Sequence, residues 1–135
     1  MDFAKTLQIS AAGMNAQGRR LRVIAENIAN SSTTALEPGG KPYRRKMIGF
    51  KNELDRQLGV DLVKVARTRF DDAAFGKRFD PGNPAADADG YVLLPNVNPL
   101  IEMTDMREAM RSYEANLNVI EASRTMLRGT IDLLR

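Results

Sequence analysis

Apolar residues recur at intervals of seven near both ends of this chain, and that spacing restricts its fold more than any other feature. Toward the C-terminus Met106, Tyr113, Ile120, Leu127 and Leu134 fall on one line of a helix, and Met103, Met110, Leu117 and Ile131 fall on the adjacent line. The N-terminal stretch repeats the interval with Leu7, Met14, Leu21 and Ile28, flanked by Phe3 and Ile24, with the small residues Ala11, Gly18 and Ala25 between them. Lines of this kind are stable only when another helix covers them. The two ends are therefore expected to pack lengthwise as a coiled coil, with these residues as the assembly interface.

The helix limits follow from capping chemistry. Asp2 is a candidate N-cap, and Ser31-Ser32-Thr33-Thr34 competes for backbone hydrogen bonds and ends the first helix near Asn30. Asn98-Pro99 reads as a cap followed by a first-turn proline, opening a second helix that runs to the C-terminus. At about 1.5 Å per residue the two would be roughly 42 and 50 Å long, a length match that suits side-by-side packing. Gly13, Gly18 and Gly129 each weaken a helix interior by up to about 1 kcal/mol relative to Ala. Each end is thus expected to become fully ordered only against a partner.

Between the helices the chain changes character. Pro38-Gly39-Gly40, Gly59, Pro81-Gly82-Asn83-Pro84 and Asp89-Gly90 are turn signals. Residues 43–50, 60–70 and 90–94 carry β-branched or partly alternating runs and read as short strands, while 52–58 could form a helical turn. The expected organisation is a mainly α protein with an N-terminal axial helix over 1–33, a small irregular β-containing middle over 34–98, and a C-terminal axial helix over 99–135.

Composition removes several classes of function. With 43% hydrophobic and 27% charged residues the chain is globular in character, and 5 Phe, 3 Tyr and no Trp point to a thin, elongated core. The absence of Cys and His excludes a disulfide framework, a thiolate or imidazole metal site and the usual general base near neutral pH. Neither a cleaved secretion signal nor an apolar run approaching the roughly 20 residues of a membrane span is visible. No enzymatic activity, cofactor or metal is expected.

Lys41-Pro42-Tyr43-Arg44-Arg45-Lys46 would suit a small basic nucleic-acid-binding module, but the net charge is only +3 and no second aromatic platform accompanies it, so a charged strand edge is preferred. Asp87-Ala88-Asp89-Gly90 has the look of a calcium loop, yet that alignment places Ala85 and Asn96 at ligand positions, and a turn held by Asx side chains fits better. Asp71-Asp72 has no partner base in sequence and reads as solvated.

Asn27-Ile28-Ala29-Asn30 followed by Thr33-Thr34, and then Tyr43-Arg44-Arg45-Lys46, resemble the flagellar rod and hook family of axial proteins. The likeness continues through Asp80-Pro81-Gly82-Asn83-Pro84, Gly90-Tyr91-Val92, Pro95-Asn96-Val97-Asn98, Glu102-Met103 and Tyr113-Glu114-Ala115-Asn116, so it covers essentially the whole chain in order. Ala35-Leu36 stand where a Gly-Tyr pair usually follows the threonines, and Tyr43 arrives only after an extended loop. The resemblance implies a structural subunit of the bacterial proximal rod that assembles helically and transmits torque. It also implies export without cleavage by the flagellar type III apparatus, placement in the basal body across the periplasmic space, and packing of the terminal helices into a coiled-coil layer. Expected partners are other flagellar rod proteins, copies of the chain itself and the export apparatus; no nucleic acid and no membrane span are implied.

Overall fold

A computed structural model describes residues 2–134. In chain order the elements are α1 (Phe3–Ala29), β1 (Lys46–Met47), β2 (Phe50–Asp55), β3 (Val60–Val65), β4 (Arg69–Phe70), β5 (Gly76–Phe79), β6 (Tyr91–Leu94) and α2 (Pro99–Asp132). Along the chain, two long helices thus flank a small β-containing middle, as the sequence predicts. The chain divides into two compact units, one of Met1–Leu21, Ile48–Arg67 and Arg107–Arg135, the other of Arg22–Met47 and Thr68–Met106.

In the first unit Asp2 caps α1 by accepting a hydrogen bond from the Lys5 amide at 3.3 Å. The α1 and α2 segments run antiparallel, because Gly13 faces Asn116 and Arg20 reaches Glu108 at 3.6 Å. A Cβ on Gly13 would come within 2.9 Å of the Asn116 amide oxygen, so a larger residue there would have to push the Asn116 side chain aside. Ser10 and Ala16 on α1, and Ala109 and Ser123 on α2, are the buried residues of this contact.

The face of α2 used in this contact is not the apolar heptad line read from sequence. In this unit the line of α2 turned inward is Ala109, Asn116 and Ser123, one residue before the Met110, Leu117 line, whose members are exposed. Met106, Tyr113 and Ile120 lie half-buried on its flank. The reason is steric. Small side chains on both helices let the backbones approach, and the larger Met and Leu side chains do not fit between them. Gln17 Oε1 on α1 is buried with no hydrogen-bond partner among the described residues.

The same unit holds the antiparallel β2–β3 hairpin, in register from Phe50 opposite Val65 to Asp55 opposite Val60. Residues 52–58 are therefore strand and turn, not a helical turn. Asp55 Oδ1 accepts the amides of Gln57 and Leu58 at 2.9 and 3.2 Å, an Asx device that closes the hairpin. Lys51 stands directly opposite Lys64, and Glu53 pairs with both. The hydrogen bond from Lys64, reinforced by Lys51, holds the Glu53 carboxyl at about 2.

In the second unit α1 ends where Asn30 Nδ2 donates to the Glu26 carbonyl at 2.9 Å and Thr33 Oγ1 donates to Asn30 Oδ1 at 3.1 Å. Asn98 caps α2 as expected, with Oδ1 accepting from the Leu100 amide at 3.0 Å and the Ile101 amide at 3.4 Å. β1 pairs with β4 and β5 with β6, both antiparallel. β5 is an addition to the sequence reading, since Gly76–Phe79 carries no apolar alternation and is strand because the 91–94 run supplies its ladder. The 87–90 stretch is the Asx-held turn expected, with Asp87 Oδ1 accepting the Asp89 and Tyr91 amides at 3.0 and 2.8 Å and Gly90 at φ 83°. Val92, Ile24, Ala85 and Pro95 are buried in this unit.

Helical glycines separate the steric from the conformational effect. Gly13→Leu, which overfills the contact with Asn116, is expected to lower unfolding free energy by about 2 kcal/mol. Gly18→Ala, where a Cβ meets nothing within 4 Å, should raise it by about 1 kcal/mol. Urea unfolding followed by helical circular dichroism checks both signs.

Candidate functional site

The densest chemistry in the molecule is a buried polar clasp in the second unit, centred on Asn27 near the end of α1. Its side chain is 1% exposed and uses both ends of the amide. Oδ1 accepts the Lys46 backbone N–H at 3.0 Å and the Tyr43 hydroxyl at 2.9 Å, while Nδ2 donates to the Lys46 carbonyl at 2.8 Å and to Glu102 Oε2 at 3.1 Å. The amide replaces a strand partner for Lys46, meeting one N–H and one C=O as a neighbouring strand would. Its orientation is dictated by its neighbours, since a backbone N–H needs the oxygen and a carboxylate needs the nitrogen.

Glu102, also 1% exposed, lies in the first turn of α2, where the helix dipole favours negative charge. Its second oxygen accepts from Arg45 Nε at 2.5 Å. Arg45 further pairs with Asp71 Oδ2 at 3.3 Å and Asp105 Oδ2 at 3.7 Å, so one guanidinium gathers three carboxylates from two segments. Burial opposes charge on Arg45, but its bonds to Glu102 and Asp71 prevail and raise its pKa. Asp71 is held below the ordinary carboxyl range by the Ala73 amide first, and by Arg45. The Tyr43 hydroxyl is pushed up by burial and by the Glu26 and Glu102 charges, which keeps it the donor that Asn27 requires.

Asn96 completes the clasp. Its Oδ1 accepts the Arg45 amide at 2.8 Å, and its Nδ2 donates to the Asp71 and Ala73 carbonyls at 3.0 and 3.1 Å. Arg44, Arg45 and Lys46 are thereby half-buried and paired and do not form a solvated strand edge, while Lys41 stays exposed. Arg44 bonds the Asp71 carbonyl at 2.7 Å and stacks 4.3 Å from the Phe75 ring centre, Arg45 serves the carboxylates, and Lys46 pairs with Glu26. Asp71 likewise is a partner within the clasp, not a solvated residue. The signal available in sequence was an acidic residue one step out of phase with the apolar line of α2.

The motif residues fall into three physical roles. Asn27, Asn96, Tyr43 and Glu102 form the clasp; Asn30 and Asn98 end and begin helices. Asp80 accepts the Asn83 amide through its carbonyl while Gly90 returns the chain, so Asp80, Pro81, Gly82, Pro84, Gly90 and Tyr91 shape the turns around β5 and β6. Asn116 Nδ2 bonds the Ser112 carbonyl beside Gly13, Tyr113 is half-buried and Glu114 exposed. Of the interface candidates, Ile24 is buried and Leu7, Met14, Leu21, Ile28, Met106, Tyr113 and Ile120 are half-buried. Met103, Met110, Leu117, Leu127, Ile131 and Leu134 face solvent. Among the described residues no acidic cluster has metal-binding geometry, and no helix is long and apolar enough to cross a membrane.

Polar side chains spent on fixing backbone, beside helices that leave large apolar lines uncovered, are the marks of a structural subunit made for assembly. Residues 7–35 match the family model of flagella basal body rod proteins, and residues 88–133 match that of the C-terminal part of the flagellar basal body rod FlgEFG proteins. A flagellar basal-body rod protein FlgC from Agrobacterium fabrum is 52% identical over 95% of this chain and 92% of its own length. Those of Bacillus subtilis and Salmonella typhimurium are 38% and 36% identical, over 95% and 98% of each chain respectively. The chain belongs to the FlgC family of flagellar basal-body rod proteins.

Removing the clasp has calculable cost. Asn27→Ala strands the Lys46 amide and carbonyl and one Glu102 oxygen, at about 1–3 kcal/mol for each buried group left unpaired, so a loss of about 3 kcal/mol or more is expected. Asn27→Asp should cost at least as much, because a carboxylate would then face Glu102. Asp71 has a lowered folded pKa, so its contribution is present above the unfolded value near 3.8 and is lost as pH falls through that value toward the folded one. Urea unfolding of the wild type and an Asp71→Asn variant between pH 6 and the acid limit should show the two stability curves converge on acidification.

Proposed function

We propose that this protein is a structural subunit of the bacterial flagellar rod, assembling helically with copies of itself and with other rod proteins and transmitting torque along the shaft. The observation that carries the reading is the mismatch on α2 between what is buried and what is apolar. The inward line of Glu102, Ala109, Asn116 and Ser123 is small or polar, while Met103, Met110, Leu117 and Ile131 hold the heptad interval and face solvent. An apolar line of that length is stabilised when neighbouring subunits cover it, and this supports a coiled-coil layer formed between subunits.

Leu7, Met14, Leu21 and Ile28 on α1, with Met106, Tyr113, Ile120, Leu127 and Leu134 on α2, extend the same interface from their half-buried or exposed positions, with Ile24 buried behind them. Packed lines of this kind resist twisting because their residues must move together. The setting that accompanies this role is the basal body across the periplasmic space, reached by type III export without a cleaved signal. Such a role needs no catalytic group.

The test separates folding from assembly. Met110→Asp with Leu117→Asp places two charges on the exposed line, so the purified variant should keep the helical circular dichroism and unfolding midpoint of the wild type. In cells lacking the native gene it should be exported yet leave rods absent and motility lost. Motile cells with intact rods would overturn the assignment. Amide exchange on the dilute wild-type monomer checks the accompanying point: weak protection is expected along 124–131, beyond the last buried residue of α2, and strong protection at the clasp amides of Arg45 and Lys46.

A further inference from the structure

Two features outside the clasp and the apolar lines match each other in shape and charge. The first is the loop after α1. Leu36 is 90% exposed at its tip, and it is held there by a tight turn in which the Gly40 amide donates to the Glu37 carbonyl at 3.1 Å. Pro38 and Gly39, the latter at φ 79°, occupy the central positions that a type II turn assigns to proline and glycine. A Cβ on Gly40 would lie 2.8 Å from that of Ala35, so the turn is closed against its own stem, and the Tyr43 amide ties the loop base to the Thr33 carbonyl at 3.2 Å. The result is a rigid knob, one leucine followed by the exposed carboxylate of Glu37. Among the described residues Glu37 has no ion-pair partner.

The second feature lies in the other unit. A groove of about 450 Å³ runs between α1 and β3, with Ala11, Ala12 and Ala16 on one wall, Val63 and Val65 on the other, and Arg19 at its rim. Short side chains make the groove deep enough to take a branched side chain, and its lining is mainly apolar. Lys64 is already engaged by Glu53, whereas Arg19 is exposed and pairs with no acid among the described residues. An apolar slot with a free cation at its edge is the complement of a leucine with a free carboxylate beside it.

We propose that the Leu36-Glu37 knob of one copy seats in the α1–β3 groove of a second copy, Leu36 between the alanines and valines and Glu37 against Arg19. The inference rests on the rod-subunit reading and names the contact that would link successive copies. Because knob and groove are different surfaces of one chain, the contact is head-to-tail, the type that propagates into rings or helices and does not stop at a dimer. The preformed turn keeps the ordering cost low. The area is small for a stable dimer, so the contact forms where subunits are already concentrated along the assembling shaft.

The chain contains no cysteine, so single cysteines report the contact without background. Leu36→Cys and Ala11→Cys copies, co-expressed in cells lacking the native gene, should give a disulfide-linked dimer in isolated basal bodies on mild oxidation, since the contact would bring their Cα atoms within about 7 Å. Leu36→Cys with Asn118→Cys, an exposed α2 position, should give none. Glu37→Arg or Arg19→Glu alone should lower the fraction of rod-bearing cells by about tenfold, and the two together should restore it. If tagged wild-type chain is found in basal bodies but the 36–11 pair fails to link, or Leu36→Cys links instead to Met110→Cys on the α2 line, the proposed contact is wrong. If the wild-type chain is absent from basal bodies, it is the rod-subunit reading that fails.

Discussion

The side-chain amide of Asn27 is the constraint on which the second unit depends. It ties the end of α1, the backbone at Lys46 and the first turn of α2 together through four hydrogen bonds, the one to Glu102 buried and the other three part-buried. In that setting each bond is worth more than on the surface and each omission costs more, so the group behaves as one cooperative element. Arg45 supplies the counter-charge to the buried Glu102, and the Asn96 oxygen holds the Arg45 backbone in place. Clasp residues separated by up to 75 positions in sequence are therefore interdependent.

Small residues settle the rest of the helix packing. In the first unit the backbone of α1 comes close enough for Gly13 to touch the Asn116 side chain, and Ala16 and Ala109 are buried in the same contact. Had Met110 or Leu117 faced inward, the helices would have had to move apart by roughly a side-chain width, toward the upper end of the 8–10 Å range of interaxial distances. Close approach of small residues and exposure of large ones are two consequences of one geometric choice, and the second leaves apolar surface for other molecules.

Much of this was legible in the sequence. The caps at Asp2 and Asn98, the helix stop after Asn30, the Asx turn at Asp87 and the seven-residue interval all follow from local rules, and local rules act through neighbours that the sequence shows directly. The phase of α2 was not legible, because apolar periodicity marks where burial is possible and says nothing of whether a helix of the same chain or of another supplies it. Asn27 was visible as part of a motif but its role was not, since an asparagine near a helix end is ordinarily a cap. Its partners Lys46 and Glu102 lie 19 and 75 residues away. The inward turn of Arg44, Arg45 and Lys46 escaped for the same reason, as a run of cations ordinarily lies in solvent.

A heptad pattern has a weakness that the clasp answers. Sliding one helix past another by seven residues restores nearly the same apolar contacts, so repetition supplies adhesion but discriminates poorly between alignments. A buried amide and a buried ion pair have no equivalent seven residues away: Ala109 stands where a shifted α2 would need Glu102, and Arg20 where a shifted α1 would need Asn27. In the second unit a slipped alignment would leave Glu102 charged and unpaired, at several kcal/mol. Replacing the clasp with well-packed apolar residues would keep or raise stability while removing that discrimination. A polar centre in this position therefore serves alignment more than strength. Alignment is also what a subunit needs if its exposed apolar lines are to meet those of neighbours in a single geometry.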